Sequence, residues 1–472
     1  MYESTTRKRF SRSNWAFKST GRSVWIAVAL SLTTSVMSRS LAADQFSQFR
    51  GSNGSGRTAA QVAIPKQWSS ESGQGIAWKA KLPGSGWSQP VVWGDKLFVT
   101  SAVSEKELKP KNFAGGVRTP QSMGMGFMSK APDVEIEWTL FCLNAASGEI
   151  LWKKAIDQGK PQYAVHPSNS YATETPVVNE NVVIAYFGAT GEIAAIDHAG
   201  NSLWQRNFGA HKTSNSFGTG SSLAIYKGQV FLQDFSEATA DLHALSVSTG
   251  ETNWTQSREK NGTSWSSPIL WKNDMRTELV VSGGSQVEAF DPASGQSLWT
   301  LKNVKAATAC SLSWDSKHIY FGGSDPFSKG PLFAVRAGGS GDISPAKKNG
   351  EFELCAWQAK KSAPGMSSPA CAGSSVIVID KNILRAYDRQ TGERTHQSRV
   401  KDLTMVNASP IMIGLNLLLI DEAGNCAVVN TENFETIATG ELNDTVWATP
   451  AVSKDGIYIR GVDALYCIAT KP

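Results

Sequence analysis

Residues Asp291 to Trp299 read DPASGQSLW, and nearly the same phrase returns along the chain. NAASGEILW ends at Trp152, DHAGNSLW at Trp204 and SVSTGETNW at Trp254, before the phrase fades into DRQTGERTH (ending at His396) and NTENFETIA (ending at Ala438). A catalytic motif is needed once, so a phrase repeated this often is architectural, and function resides in whatever varies between copies. The phrase has the chemistry of a tight hairpin followed by an anchor. Asp or Asn caps the turn through its own side chain, Gly accepts the positive φ that closes it, and Trp wedges between neighbouring units. Burying an indole of ~150 to 250 Å² stabilises by about 4 to 6 kcal/mol at most.

Each phrase belongs to a longer unit that opens on a small-residue and Pro signature. The openings are WSQPVV at Trp87, TETPVV at Thr173, GSSLAI at Gly220, WSSPIL at Trp265, ACSLSW at Ala309, MSSPAC at Met366, NASPIM at Asn407 and WATPAV at Trp447, eight in all. Gly220 to Trp265 is 45 residues, Trp265 to Ala309 is 44 and Asn407 to Trp447 is 40, spacings that suit four-stranded propeller blades. Within the fourth unit, SSPILW, TELVVSGG, QVEAFDPASG and QSLWTLKN read as four short antiparallel strands, with the repeated phrase as the third-to-fourth hairpin. The expectation is an all-β, eight-bladed β-propeller of four-stranded antiparallel blades. The last unit, ending DALYCIATKP, is one strand short, while GIAWKAKLPG (Gly75 to Gly84) reads as an isolated fourth strand with its own Trp78. The N-terminal strand should therefore complete the last blade and leave no open edge. Trp78, Trp152, Trp204, Trp254 and Trp299 are the expected blade tryptophans.

The division that follows is a signal peptide over 1–42, an N-terminal extension over 43–74 and the propeller over 75–472, with insertions at 104–133 and 336–350. Both insertions lack periodicity and are rich in Gly, Lys or Met, so each reads as functional or disordered, with disorder expected. Six basic residues from Arg7 to Arg22 precede the apolar run VWIAVALSL (Val24 to Leu32), and Ser40 and Ala42 are small residues placed for cleavage before Ala43. That pattern predicts Sec-type export to the periplasm or beyond, with no transmembrane segment left after cleavage. No adjacent Arg pair and no Cys after the apolar run point to twin-arginine export or lipidation. Residues 1–42 hold seven of the 46 Lys and Arg and one of the 41 Asp and Glu, so 39 basic face 40 acidic residues in the rest, a net charge of −1. A nucleic-acid partner is not expected of such a surface, and a monomer is. The six cysteines are singly spaced, with no C-x-x-C pair. Export permits up to three disulfides, whereas strand-like surroundings suit buried thiols.

With its EAFDPASGQSLW and FCLNAASGEILW phrases, the chain resembles the PQQ-like β-propeller repeat family over nearly its whole length after residue 42. That family includes PQQ-dependent (quinoprotein) alcohol dehydrogenases and non-catalytic exported propellers such as the assembly scaffold BamB. QFRGSNGSGRT (Gln48 to Thr58) is similar to a stretch in exported PQQ-repeat proteins of planctomycete-type bacteria. The resemblance implies the fold but not the cofactor. In the dehydrogenases, quinone binding rests on a pair of adjacent cysteines and on calcium held by Glu, Asn and Asp. Here no two cysteines adjoin, and no calcium or other metal cluster is recognisable. No cofactor is assigned, and PQQ with calcium stays open without that adjacent-cysteine signature.

In such a ring the first residue of each opening and the loop before it converge on the axial funnel. The candidate ligand-binding residues are Trp87, His166, Tyr171, His211, Phe217, Trp265, Met366, Asn407 and Trp447. Three indoles around one mouth would stack a planar ligand, or else serve as plugs between blades. His166 and His211 would act as base and partner, or as metal ligands, only if their loops meet. No catalytic residue is assignable. The preferred reading is a non-catalytic binding or scaffold module with a protein, glycan or small planar ligand at the funnel. The alternatives are a PQQ-dependent dehydrogenase, with Trp265 or Trp447 on the quinone, and a polysaccharide hydrolase or lyase, which would need paired funnel carboxylates.

Overall fold

The computed structural model describes residues 45–58, 60–106, 108–111, 125–260, 262–324 and 329–470. Residues 1–42, read from the sequence as a signal peptide, and residues 112–124 of the first insertion lie outside them. Among the described residues eight sheets, each built on antiparallel strands, follow one another and are numbered here as blades 1 to 8 by their openings from Trp87 to Trp447. Blade 4, for example, is Ile269–Lys272, Thr277–Gly283, Gln286–Phe290 and Ser297–Leu301, all paired antiparallel. Central strands are covered on both faces and read as continuous apolar runs, as in Val182–Phe187, which is buried throughout. Outermost strands such as Ser202–Asn207 are partly exposed. In blade 8, Ile76–Lys81 pairs antiparallel with Ala464–Ile468, placing Trp78 opposite Cys467. The N-terminal strand thus completes the last blade.

The repeated phrase is a joint between blades. Asp291 Oδ1 accepts the amides of Ala293 (3.0 Å) and Ser294 (2.8 Å), which caps the turn. The carbonyl after the capping residue then receives the indole N–H of the preceding blade. Trp152 donates to His198 O (3.2 Å), Trp204 to Val247 O (2.9 Å), Trp254 to Pro292 O (3.3 Å), Trp357 to Arg389 O (2.9 Å) and Trp78 to Ala145 O (3.0 Å). The turn glycine makes room for the ring: a Cβ on Gly250, at φ +72°, would lie 2.6 Å from Trp204.

Trp299 departs from this pattern for a local reason. Its recipient hairpin in blade 5 is replaced by the insertion 336–350, so the buried Trp299 N–H goes to Glu278 Oε2 (2.7 Å), and Trp271 bridges to Asp315 O of blade 5 (2.7 Å). That insertion corrects the expectation of disorder: Gly341–Asp342 pairs in parallel with Ser297–Leu301 as a fifth strand of blade 4. The faded copies also keep their joint. His396 stands where Trp would, Phe434 takes the glycine position at φ +60°, and the rings stack at 3.9 Å and 7°. At blades 7 and 8 the indole comes from the N-terminal extension, whose Gln67–Ser69 pairs in parallel with Thr439–Glu441 and buries Trp68 against Gly440.

An inner belt complements these outer joints. The third residue of each opening donates its amide to the side-chain oxygen of the third residue in the next blade. Gln89 bonds Thr175 (3.0 Å), Thr175 bonds Ser222 (3.0 Å), Ser222 bonds Ser267 (2.9 Å) and Ser267 bonds Ser311 (2.8 Å). Ser311 continues to Ser368 (3.0 Å), Ser368 to Ser409 (3.1 Å) and Ser409 to Thr449 (3.0 Å). The belt is not continued from blade 8 to blade 1, where shared apolar packing, the stacked pair Trp87–Trp447 6.2 Å apart and the bond from Arg460 Nη2 to Ser101 Oγ (3.3 Å) add to the Trp78 joint.

Gln89 is diverted to the extension, which crosses the end of the ring where the inner strands finish. Gln89 accepts the Arg50 amide (2.9 Å) and donates to Gln48 O (3.1 Å). Ser47 O receives Val178 N of blade 2 (2.9 Å), Gln48 receives Ile225 N of blade 3 (2.8 Å), and Arg57–Thr58 runs parallel to Met412–Ile413 of blade 7. Arg50 is wholly buried and donates to Leu312 O (2.9 Å) and Ser313 Oγ (2.8 Å) of blade 5 and Pro369 O (2.6 Å) of blade 6. Burial pushes its pKa down to about 10, which leaves it charged at neutral pH and stabilised by carbonyl dipoles. Gly56 permits this lock, since a Cβ there would lie 2.5 Å from the guanidinium. All six cysteines are free thiols, five of them buried.

Two outcomes test this account. Trp204→Ala should cost about 3 to 5 kcal/mol by chemical denaturation, and Gly250→Ala about 1 to 3 kcal/mol from its positive φ together with the clash of its methyl against the Trp204 ring. The double variant should cost less than the sum, because without the indole the added methyl has no ring to meet. Arg50→Ala should lower stability by about 3 kcal/mol or more, since each stranded buried acceptor costs about 1 to 3 kcal/mol. Arg50→Lys should recover little, because one ammonium cannot replace a fork that reaches two blades.

Candidate functional site: an aromatic cup on the axis

Each inner strand begins at the open end of the ring, and the first residues of all eight openings line one axial cavity of about 460 Å³. Trp87, Trp265 and Trp447 line it, with Met366 at 46 % exposure and Asn407 beside them. Seven third-position hydroxyls, from Thr175 round to Thr449, form the layer below. Phe49 of the extension closes the far end, so the cavity is a cup floored by the N-terminal plug.

The wall is held from behind. Trp87 Nε1 donates to Ser168 O (2.8 Å) and Trp265 Nε1 to Gly218 O (2.6 Å), which commits both indole donors to the loops behind the wall. Phe217 meets Trp265 edge-on at 5.9 Å and stacks on His166 at 5.3 Å. His166 is 3 % exposed, and its Nδ1 accepts the Ser168 amide (3.1 Å), so the ring proton belongs on Nε2. Burial lowers its pKa, keeping the imidazole neutral. Asn169 donates to Phe217 O (2.7 Å) and Thr219 O (3.2 Å), and Asn407 donates to the buried Glu422. The described part of the first insertion props these loops from outside. Lys111 N bonds Pro167 O (2.7 Å), and Ser216 Oγ bonds Gly126 O (3.0 Å).

Seven of the nine sequence candidates therefore line the cup, and two do not. Tyr171 lies in the core between blades 1 and 2 at 7 % exposure, with its hydroxyl on Tyr163 O (3.3 Å) and its pKa pushed up to about 12 by burial. His211 faces a separate cavity of about 20 Å³ between blades 2 and 3, which it shares with Glu174, Tyr186, Gln233 and Asp234. Its Nδ1 lies 3.2 Å from Asp234 Oδ2. His166 and His211 thus have different cavities and partners, which separates the pair that the sequence left open. Sequence reasoning missed Phe49 and the hydroxyl layer. The hydroxyls did leave a signal, since Ser or Thr stands third in seven of the eight openings.

The charges avoid the cup. Its described lining contains no Asp, Glu, Lys or Arg, so the paired carboxylates that a glycosidase needs are not among these residues. Among the described residues no cluster of His, Cys, Asp or Glu could hold a metal ion, and no helix is long and apolar enough to cross a membrane.

Comparison with known proteins agrees on architecture. The model of the family described as "Outer membrane protein assembly factor BamB" matches in three overlapping windows, residues 103–285, 189–341 and 283–471. Among solved structures, the quinohemoprotein alcohol dehydrogenase from Comamonas testosteroni superposes with a TM-score of 0.61 at 11 % identity, over 93 % of this chain and 82 % of that one. The computationally designed Ika8 protein gives 0.50 at 11 % identity, over 72 % and 94 %. BamB from Moraxella catarrhalis gives 0.48 at 16 % identity, over 69 % and 87 %. At such identities the likeness is one of fold. A comparison with curated proteins gives no match.

The smaller cavity supplies a pH prediction. Burial outweighs the nearby His211 and pushes the Asp234 pKa up to about 6. A folded pKa above the unfolded value of 3.8 means that this group's contribution is fully present below 3.8 and is lost as pH rises from there through about 6. Asp234→Asn, which stays neutral, should raise the melting temperature above pH 6 and leave it nearly unchanged below pH 3.8. Equal effects at both pH values would refute the assignment.

Proposed function

Because this chain belongs to the PQQ-like β-propeller repeat family, we propose that it is an exported, non-catalytic binding or scaffold module that recognises its ligand or partner at the axial cup. One observation carries the reading: the positions at which the repeat ceases to repeat, the first residues of the eight openings, line a single floored cavity. A cavity of ~300 to 1,000 Å³ with apolar walls and a few polar groups is the usual form of a ligand site. Export rests on the basic and apolar segments before Ala43.

The quinoprotein alternative needs a site for PQQ, a planar tricarboxylate held with calcium. Such a site requires cations for the carboxylates and several hard oxygen ligands for the metal. The cup's described lining offers neither Lys, Arg, Asp nor Glu, and no two cysteines adjoin in the chain. These residues do not fit the quinone.

A thermal-stability titration with PQQ and calcium tests this directly. A ligand that binds only the folded state adds about 2.7 kcal/mol at a hundred times its Kd, so micromolar binding would be plain at 100-fold excess. The expected result is no saturable shift and no change in quinone absorbance. Saturable stabilisation would replace the binding-module reading with the dehydrogenase one.

A further inference from the structure

Resting on the reading of the cup as the recognition site, we infer that it takes an uncharged planar ring bearing hydrogen-bond acceptor atoms, the chemistry of an aromatic carbonyl compound. The absence of charge in the described lining sets the first condition. An ionised ligand entering this wall would lose its hydration without gaining a counter-charge, a cost of several kcal/mol.

The hydrogen-bonding inventory sets the second. Most amide and ring donors on the wall already have protein partners: both indole N–H groups of Trp87 and Trp265, the Asn169 amide, and the Asn407 amide on Glu422. The hydroxyls of Thr175, Ser222, Ser267 and Ser311 accept a backbone amide from the preceding blade. Each keeps a proton that it can turn into the cavity. These four lie on blades 2 to 5, in one arc that includes the blade of Trp265. The cup therefore offers donors along one side, and a ligand must bring acceptors to meet them. A sugar of comparable size carries hydroxyls around its whole rim, and those that meet the indole, Phe217 and Met366 parts of the wall would be buried without a partner. An aromatic carbonyl brings acceptors alone.

Shape sets the third. Trp265 stands on blade 4, half a ring from the stacked pair Trp87 and Trp447 on blades 1 and 8. Aromatic side chains thus line the cavity from opposite sides of the ring. Trp265 is fixed by its bond to Gly218 and by Phe217 against its edge, so little ordering is needed when a ring stacks on it.

The test uses three probes on the purified protein: coumarin, which is planar, neutral and carries a lactone carbonyl; 2-naphthoate, which is planar and charged; and cellobiose, a neutral polyol. Tryptophan fluorescence and melting temperature follow binding, and the infrared carbonyl stretch of bound coumarin reports hydrogen bonding. Coumarin should bind saturably, with its carbonyl stretch moved to lower wavenumber than in apolar solvent. It should exceed both other probes in affinity by about tenfold or more, a difference of about 1.4 kcal/mol. Trp265→Phe, which keeps a ring, should fold and weaken coumarin. Tighter binding of cellobiose or 2-naphthoate, binding of coumarin without the carbonyl shift, or no binding of coumarin to the wild-type protein would each overturn the inference. The broader reading is separable. If coumarin fails but a ligand or partner isolated with the wild-type protein is lost with Trp265→Phe and retained with the outer-rim variant Leu203→Ala, the cup stands and only the ligand class falls.

Discussion

An indole N–H of one blade on a turn carbonyl of the next is the contact on which the ring depends. Strands within a blade satisfy one another through backbone ladders, but neighbouring blades share no ladder, so side chains must join them. Tryptophan suits that task because it buries a large flat surface and has one donor that must find a partner. The turn that receives it is shaped for the purpose. An acidic or amide side chain closes the hairpin, the next carbonyl points outward to the indole, and glycine leaves the space that a Cβ would take, as Gly250 does beneath Trp204.

The joints that break the pattern show that contact matters more than spelling. Where an insertion removes the receiving turn, Trp271 makes the bridge and Trp299 turns to Glu278. His396 on Phe434 reverses the arrangement, with the larger ring on the turn side. Trp68 reaches blades 7 and 8 from outside the repeat altogether. Near the axis the hydroxyl belt repeats the principle at smaller scale, joining blade to blade by single bonds between amides and short side chains. Its interruption at Gln89 coincides with the place where the extension is gripped, so the residue that would complete the belt fastens the plug.

The plug and the belt together shape the cup. Phe49 brings the plug to the lining of the cavity, and the belt commits the hydroxyl oxygens as acceptors of backbone amides, with Ser409 also donating to Ser368. Charge is kept elsewhere. Glu174, Asp234 and His211 gather in the small cavity between blades 2 and 3, and the guanidinium of Arg50 is enclosed by carbonyls of blades 5 and 6. A neutral, aromatic, donor-bearing cavity at the mouth of the ring is the result, a chemistry suited to recognition by stacking more than to acid-base work or metal binding.

Much of this architecture was legible in the sequence, because its determinants are local. Alternating strands, the capped turn with its glycine, the number of openings and the stray strand at Trp78 are all written in contiguous residues, and a period near 44 makes each copy a check on the others. The sequence by itself therefore determined the blades, their count and the closing strand, and it marked the positions where the repeat varies. Only the tertiary structure decided which neighbours in one loop face the cup, as His166 does, and which face the core, as Tyr171 does. It alone showed that His211 belongs with Asp234 and that QFRGSNGSGRT is a plug. Arg50 meets Leu312 across 262 positions of chain, and contacts over such separations arise from ring closure, which no local pattern of residues records.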